Sequence, residues 1–149
     1  MLKINRQTDY AVRVLLALAR QGEGARLPSS EIQREMLIPQ TLMPRIVAQL
    51  ARAKLLKTFP GREGGLMLPR PAAKITLRDV VEAFEGPILL SECLQAKDED
   101  DCPFRTNCPV SPKWGRVQVA MLREMAAITF ESLAQEALGL PMVMPGMAL

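Results

Sequence analysis

Between Ser29 and Lys54, two short segments with apolar stripes are separated by Ile38-Pro39, and the next stretch, KTFPGREGGLMLPRP, sets two strand-like pieces around Gly61, Gly64 and Gly65. Proline fixes its own φ and pushes the preceding residue out of the helical region, so no helix runs through position 38. Two short helices across a tight break have the rhythm of a helix-turn-helix, and a glycine-tipped hairpin directly after one is a wing. This pairing restricts the chain more than any other feature does.

The flanking segments fit around it. Asn5 is placed to cap a first helix whose apolar face, Ala11, Val14, Leu15 and Leu18, ends at Gln21-Gly22. Ser30 and Gln33 have capping-box spacing for a second helix ending near Met36. Met43, Ile46, Val47 and Leu50 stripe a third, which starts near Thr41 because Pro44 is tolerated only in a first turn, and which ends by Lys54. Thr76, with Asp79 three residues on, caps a fourth helix with Val80, Val81 and Phe84 on its apolar face and a stop at Gly86-Pro87. From Lys113 to about Ala137 the spacing predicts one long helix, with Trp114, Val117, Met121, Met125 and Ile128 forming a seam roughly 21 Å long. So long a seam, far from the small N-terminal core, points to packing on a second copy of the chain. The expected fold is mainly α with a small β wing: a winged helix-turn-helix over 1–78, a linker helix and cysteine loop over 79–112, a dimerisation helix over 113–137, and a disordered tail over 138–149.

At 149 residues the chain can bury one modest core. Its polar beginning, MLKINRQTDY, has no signal-peptide pattern, and no apolar run reaches the length of a membrane span, so a cytoplasmic protein is expected. Residues 1–78 carry fourteen Lys/Arg against five Asp/Glu, net +9, whereas residues 79–149 carry five against eleven, net −6. A basic half joined to an acidic half implies that the first half alone meets a polyanion.

All three cysteines lie in CLQAKDEDDCPFRTNC, spaced C-x8-C-x5-C, with prolines after Cys102 and Cys108. An odd number of thiols cannot all pair as disulfides, and close spacing in a stiff loop points to a metal or an iron–sulfur cluster at Cys93, Cys102 and Cys108; a redox pair with a spare thiol and three unrelated cysteines are the alternatives. An enzyme is disfavoured, because the chain has no histidine, no glycine-rich phosphate loop and no Ser or Cys with a base at motif spacing.

Taken together, TDYAVR at Thr8–Arg13, the wing Gly61-Arg62-Glu63-Gly64-Gly65, ITLRDVVEAFEGP at Ile75–Pro87 and three cysteines before a long helix resemble the IscR/NsrR-type, or Rrf-two, family of winged-helix transcriptional regulators. The resemblance spans residues 1 to about 137. It implies a homodimer that crosses its long helices, holds an iron–sulfur cluster and binds a palindromic promoter site in double-stranded DNA according to the state of that cluster. Members with a two-iron cluster use a histidine where this chain has Ser111, so the resemblance is to the histidine-free, three-cysteine NsrR/RirA-like members. It implies a 4Fe-4S cluster rather than 2Fe-2S, with Asp9 of the other subunit as fourth ligand and nitric oxide, oxygen or iron supply as the signal. Zinc held by three cysteines and a carboxylate is a chemical alternative. So are a cluster-free regulator that responds by thiol oxidation and a small cluster-carrying electron-transfer protein.

On the DNA side, the third helix is expected in the major groove, with Gln40, Thr41 and Arg45 off its apolar stripe; Arg45 suits guanine and Gln40 adenine. Arg52, Lys57, Ser29 and Ser30 are candidate phosphate contacts. The family's wing usually has an arginine where Pro60 stands, which leaves Arg62 as the wing contact.

Overall fold

The computed structural model describes residues 3–94 and 102–138. Helix α1 spans Arg6–Arg20, and Asn5 caps it by accepting the Thr8 amide at 2.9 Å. Strand β1, Arg26–Leu27, precedes α2 over Ser29–Glu35 and α3 over Met43–Arg52; strands β2, Lys57–Phe59, and β3, Gly65–Met67, make the wing. Helix α4 is Leu77–Glu85, α5 is Ser111–Ala127 and α6 is Phe130–Leu138, with single 3₁₀ turns at Ala72–Lys74, Glu92–Leu94 and Arg105–Asn107. The acidic run Lys97–Asp101 and the tail from residue 139 onward lie outside the described residues.

The three helices of the reading head close on one core, in which Leu15 and Leu18 of α1, Ile32 of α2 and Ile46 and Leu50 of α3 are fully buried. Burial of that order stabilises by about 1.5–3 kcal/mol per side chain. Both short helices end in the same way. After α2 the Ile38 amide donates to the Gln33 carbonyl at 3.0 Å, and after α3 the Leu55 amide donates to Leu50 at 2.9 Å. Each closure needs a left-handed residue, here Leu37 at φ 53° and Lys54 at φ 57°. The strain is offset because Ile38 and Leu55, the next residues, drop into the core.

Two helix starts differ from the sequence expectation. Ser30 and Gln33 form no capping box: α2 already begins at Ser29, and Pro28 stands at the cap without a side-chain bond, its carbonyl accepting from Glu31 and Ile32. Helix α3 begins at Met43 rather than Thr41, because Pro39–Leu42 closes a turn of its own before Pro44 enters the first helical turn. At α4 the Thr76–Asp79 box is present, with the Thr76 amide donating to Asp79 at 2.8 Å.

The wing is a three-stranded antiparallel sheet in the order β1-β3-β2, with Phe59 opposite Gly65 and Arg26 opposite Met67. Its third strand, β1, was absent from the expectation. Gly65 is obligatory, since a Cβ there would lie 2.7 Å from the Leu27 carbonyl oxygen.

The single long helix expected from Lys113 to Ala137 is two helices. Ile128 leaves the helix in an extended conformation, Thr129 pairs with Thr76 as an antiparallel bridge, and the Thr129 hydroxyl caps α6 by accepting from the Ser132 amide at 3.1 Å. The break delivers Phe130 into the core beside α1, where it is fully buried. Ile128 is therefore not on the seam. Along α5 none of the side chains is fully buried, and Trp114 and Val117 are 44 % and 51 % exposed.

Candidate functional site

The start of α2, the turn before α3, the first turn of α3 and the wing surround an open cleft of about 590 Å³. Ser29, Ser30, Gln40 and Arg62 line it, with Phe59 forming part of the wing wall. Because α3 starts late, Gln40 and Thr41 lie in the turn ahead of it and only Arg45 is on the helix itself. Thr41, Arg45, Arg52 and Lys57 are exposed and stand outside the cleft lining.

Cations predominate on this side, although Glu31 of α2 and Glu63 of the wing turn are exposed there too. The ion pairs of the described residues engage Arg13, Arg20, Arg70 and Arg78, on α1, α4 and the segment between wing and α4. Arg45, Arg52, Lys57 and Arg62 are in none of these ion pairs. Unneutralised cations on an exposed face around a groove-sized helix are what a polyphosphate requires. Arg26 of β1 shares this property; the sequence reading passed over it because a two-residue strand leaves no periodic trace.

A second group gathers at the N-terminus of α5. The Cys93 Sγ lies 3.0 Å from the Ser91 Oγ, and the Ser111 amide donates to the Cys108 Sγ at 3.4 Å. The Cys93 thiol titrates below its ordinary range, held there first by the Ser91 hydroxyl, then by that of Ser111, with a smaller contribution from the Arg105 charge. Ser111 thus bonds the Cys108 sulfur through its amide and contributes to the lowering at Cys93. In sequence it stood out only as a place without histidine; the missed signal was a serine opening a helix directly after Cys108-Pro109. Cys102 is half-exposed, and its carbonyl accepts from the Arg105 amide at 3.1 Å. Asp9 stands apart on α1, paired with Arg13 at 2.7 Å and 52 % exposed. Arg13 in turn donates to the Met36 carbonyl at 3.3 Å, at the end of α2.

Thiolate-favouring surroundings at Cys93 and an N–H···S bond at Cys108 suit a soft metal or an iron–sulfur cluster. One subunit, however, does not assemble the ligand set: among the described residues no group of three or more Cys, Asp or Glu side chains is arranged to hold a metal ion. Nor is any described helix long and apolar enough to cross a membrane.

A helix-turn-helix followed by a wing, with unpaired cations on the exposed face, defines a winged-helix DNA-binding protein. The model of the Rrf2 family, described as iron-dependent transcriptional regulators, matches residues 4–136. Protein aau3 of Rhizobium meliloti is 36 % identical over 135 residues, covering 90 % of this chain and 86 % of its own. The HTH-type transcriptional regulator NsrR of Oceanobacillus iheyensis is 26 % identical, covering 89 % of each. The chain belongs to the Rrf2 family of transcriptional regulators. Among solved structures, CymR, the global cysteine regulator of B. subtilis, superposes with a TM-score of 0.72 at 25 % identity over 91 % of this chain and 98 % of its own. The T. potens IscR structure does so with a TM-score of 0.71 at 19 % identity, over 99 % and 97 %.

Proposed function

We propose that this regulator works as a homodimeric repressor whose hold on a palindromic promoter site depends on an iron–sulfur cluster bound at Cys93, Cys102 and Cys108. The observation that carries the reading is that the turn holding Cys93 packs against α5 while Cys108 bonds the amide that opens that helix, in a chain whose other end presents unpaired cations around α3. When bound, the cluster supplies iron that reacts with small oxidants such as nitric oxide or oxygen. Ser91 and Ser111 stabilise thiolate at Cys93, and the Ser111 amide orients the Cys108 sulfur.

Asp9 is the proposed fourth ligand, reaching from one subunit to the cysteines of the other. A carboxylate is a harder donor than a thiolate, so this is the labile corner. Asp9 and Arg13 share one helix face, and Arg13 also grips the Met36 carbonyl, so whatever draws Asp9 away from Arg13 is felt at the turn leading to the reading helix. That makes the switch a change in how α1 seats the reading head. Arg45 and Gln40 then read bases, each good bidentate contact contributing about 1–3 kcal/mol of discrimination, while Thr41, Arg52, Lys57, Arg62, Ser29 and Ser30 hold the backbone.

The lowered Cys93 thiol also supports a second reading, a cluster-free or zinc-bound regulator that responds by thiol oxidation. Anaerobic purification followed by iron and sulfide analysis, with DNA binding measured on the same sample, separates them. Iron with equimolar sulfide supports the cluster. Zinc alone in protein that binds DNA normally supports the second reading.

A further inference from the structure

At the base of the wing the Arg26 guanidinium lies flat on the Phe59 ring, with its central carbon 3.6 Å from the ring centroid. One of its nitrogens donates to the Glu63 carbonyl in the wing turn at 3.4 Å. The Lys57 ammonium approaches the same ring at 5.2 Å. We propose that Arg26 is a backbone-phosphate contact of the wing and that Phe59 is the residue that positions it, a proposal that rests on the DNA-binding reading above.

Three observations combine. First, Arg26 is exposed and is in none of the ion pairs of the described residues, and a guanidinium has five N–H donors, of which the Glu63 carbonyl occupies one. Stacking covers the face of the group and leaves its edge, where those donors point, open to an anion. Second, both cations lie against one ring, so their charges are no more than about 9 Å apart. Together they concentrate positive charge beside the wing, where backbone phosphates are attracted. Third, Phe59 is itself part of the wall of the cleft that holds Ser29, Ser30, Gln40 and Arg62, so the stack adjoins the proposed DNA face. A stacked guanidinium is also pre-organised: the ring and the Glu63 carbonyl hold it in place before DNA arrives, and less freedom is lost on binding.

The test uses the full-length protein and an operator duplex selected from a random-sequence pool, with affinity followed across a salt series. Arg26→Gln retains the aliphatic stem, whose Cγ lies close over Gly65, and removes the charge. Loss of one phosphate contact lowers the slope of log K against log salt by about 0.9, equivalent to about eightfold at 0.1 M relative to 1 M. The same decrease is expected on an unrelated duplex, because phosphate contacts carry no sequence information. Arg26→Lys should restore the slope, and Phe59→Leu should weaken binding several-fold in wild type but add little in the Arg26→Gln background. If Arg26→Gln lowers affinity or melting temperature with the slope unchanged, Arg26 only staples the wing and the proposal is overturned. If Arg45→Ala abolishes selective binding while Arg26→Gln changes nothing, this inference fails and the DNA-binding reading stands; if wild type shows no salt-dependent binding, both fail.

Discussion

The carboxylate of Glu85 ends α4 and clasps the start of α1: it accepts the Asn5 amide at 3.0 Å and the Thr8 hydroxyl at 2.5 Å. A carboxylate at a helix C-terminus faces the negative end of the helix dipole, so its place there needs compensation, and these two donors provide it. They hold its pKa below the ordinary value of 4.5, with the Thr8 hydroxyl the largest cause. A hydrogen bond to a charged acceptor contributes about 1.5–3 kcal/mol, but Glu85 is exposed and water re-solvates it, which brings the net contribution to about 1 kcal/mol. Glu85→Gln should therefore lower the melting temperature by about 2–4 °C at neutral pH. Thr8→Val, which preserves shape at a fully buried site, should do about the same, and the double variant should lose less than the sum. The sign of the pH dependence follows from the direction of the shift. A depressed carboxyl contributes its full stability above the unfolded value and loses it as pH falls through the lower folded value, so the wild-type advantage over Glu85→Gln should shrink as pH is lowered below 4.5. Differential scanning fluorimetry between pH 3 and 7 measures this. A constant difference across that range, or strict additivity in the double variant, refutes the clasp.

Three further outcomes are expected. Phe130→Ala empties the point at which α6 enters the core and should cost about 3–5 kcal/mol, a drop of about 6–20 °C by calorimetry; a drop under 3 °C would show that α6 is dispensable to the head. Val117→Glu charges an α5 residue that is half exposed in the single chain, so the fold should persist while sedimentation reports monomers; an intact dimer would place the subunit interface elsewhere. Lys57→Ala should reduce the salt slope of operator binding by about 0.9, and an unchanged slope would make Lys57 ordinary solvated surface.

Much local chemistry was legible in the sequence, although the Ser30–Gln33 box was not formed because α2 starts one residue earlier, at Ser29. Asn5 caps α1, Thr76 and Asp79 box α4, and the wing glycines mark the hairpin, because caps and left-handed turns depend on neighbours a few residues away. What depended on distant partners was not. The apolar spacing runs straight across Ile128 and Thr129, and the helix breaks there only because Thr76 offers a bridging partner and the core has room for Phe130. A Thr-x-x-Ser cap signal at Thr129 and Ser132 was present but masked by that spacing. Leu37 and Lys54 occupy left-handed positions where glycine is the usual signal. For the site, the cysteines announced themselves by spacing. The roles of Ser91 and Ser111, by contrast, required knowing that Cys93 and Cys108 approach the same helix end.

In the proposed mechanism, thiols at one end of the chain govern DNA binding at the other. It is tested most directly by fluorescence-anisotropy titration of a selected operator duplex under anaerobic conditions, using protein before and after removal of its iron and the Cys108→Ser variant in parallel. Untreated wild type, carrying iron and sulfide, should differ in Kd from the stripped protein by at least about tenfold, or about 1.4 kcal/mol, and Cys108→Ser should match the stripped protein whatever its treatment. Equal Kd values for all three preparations would contradict it.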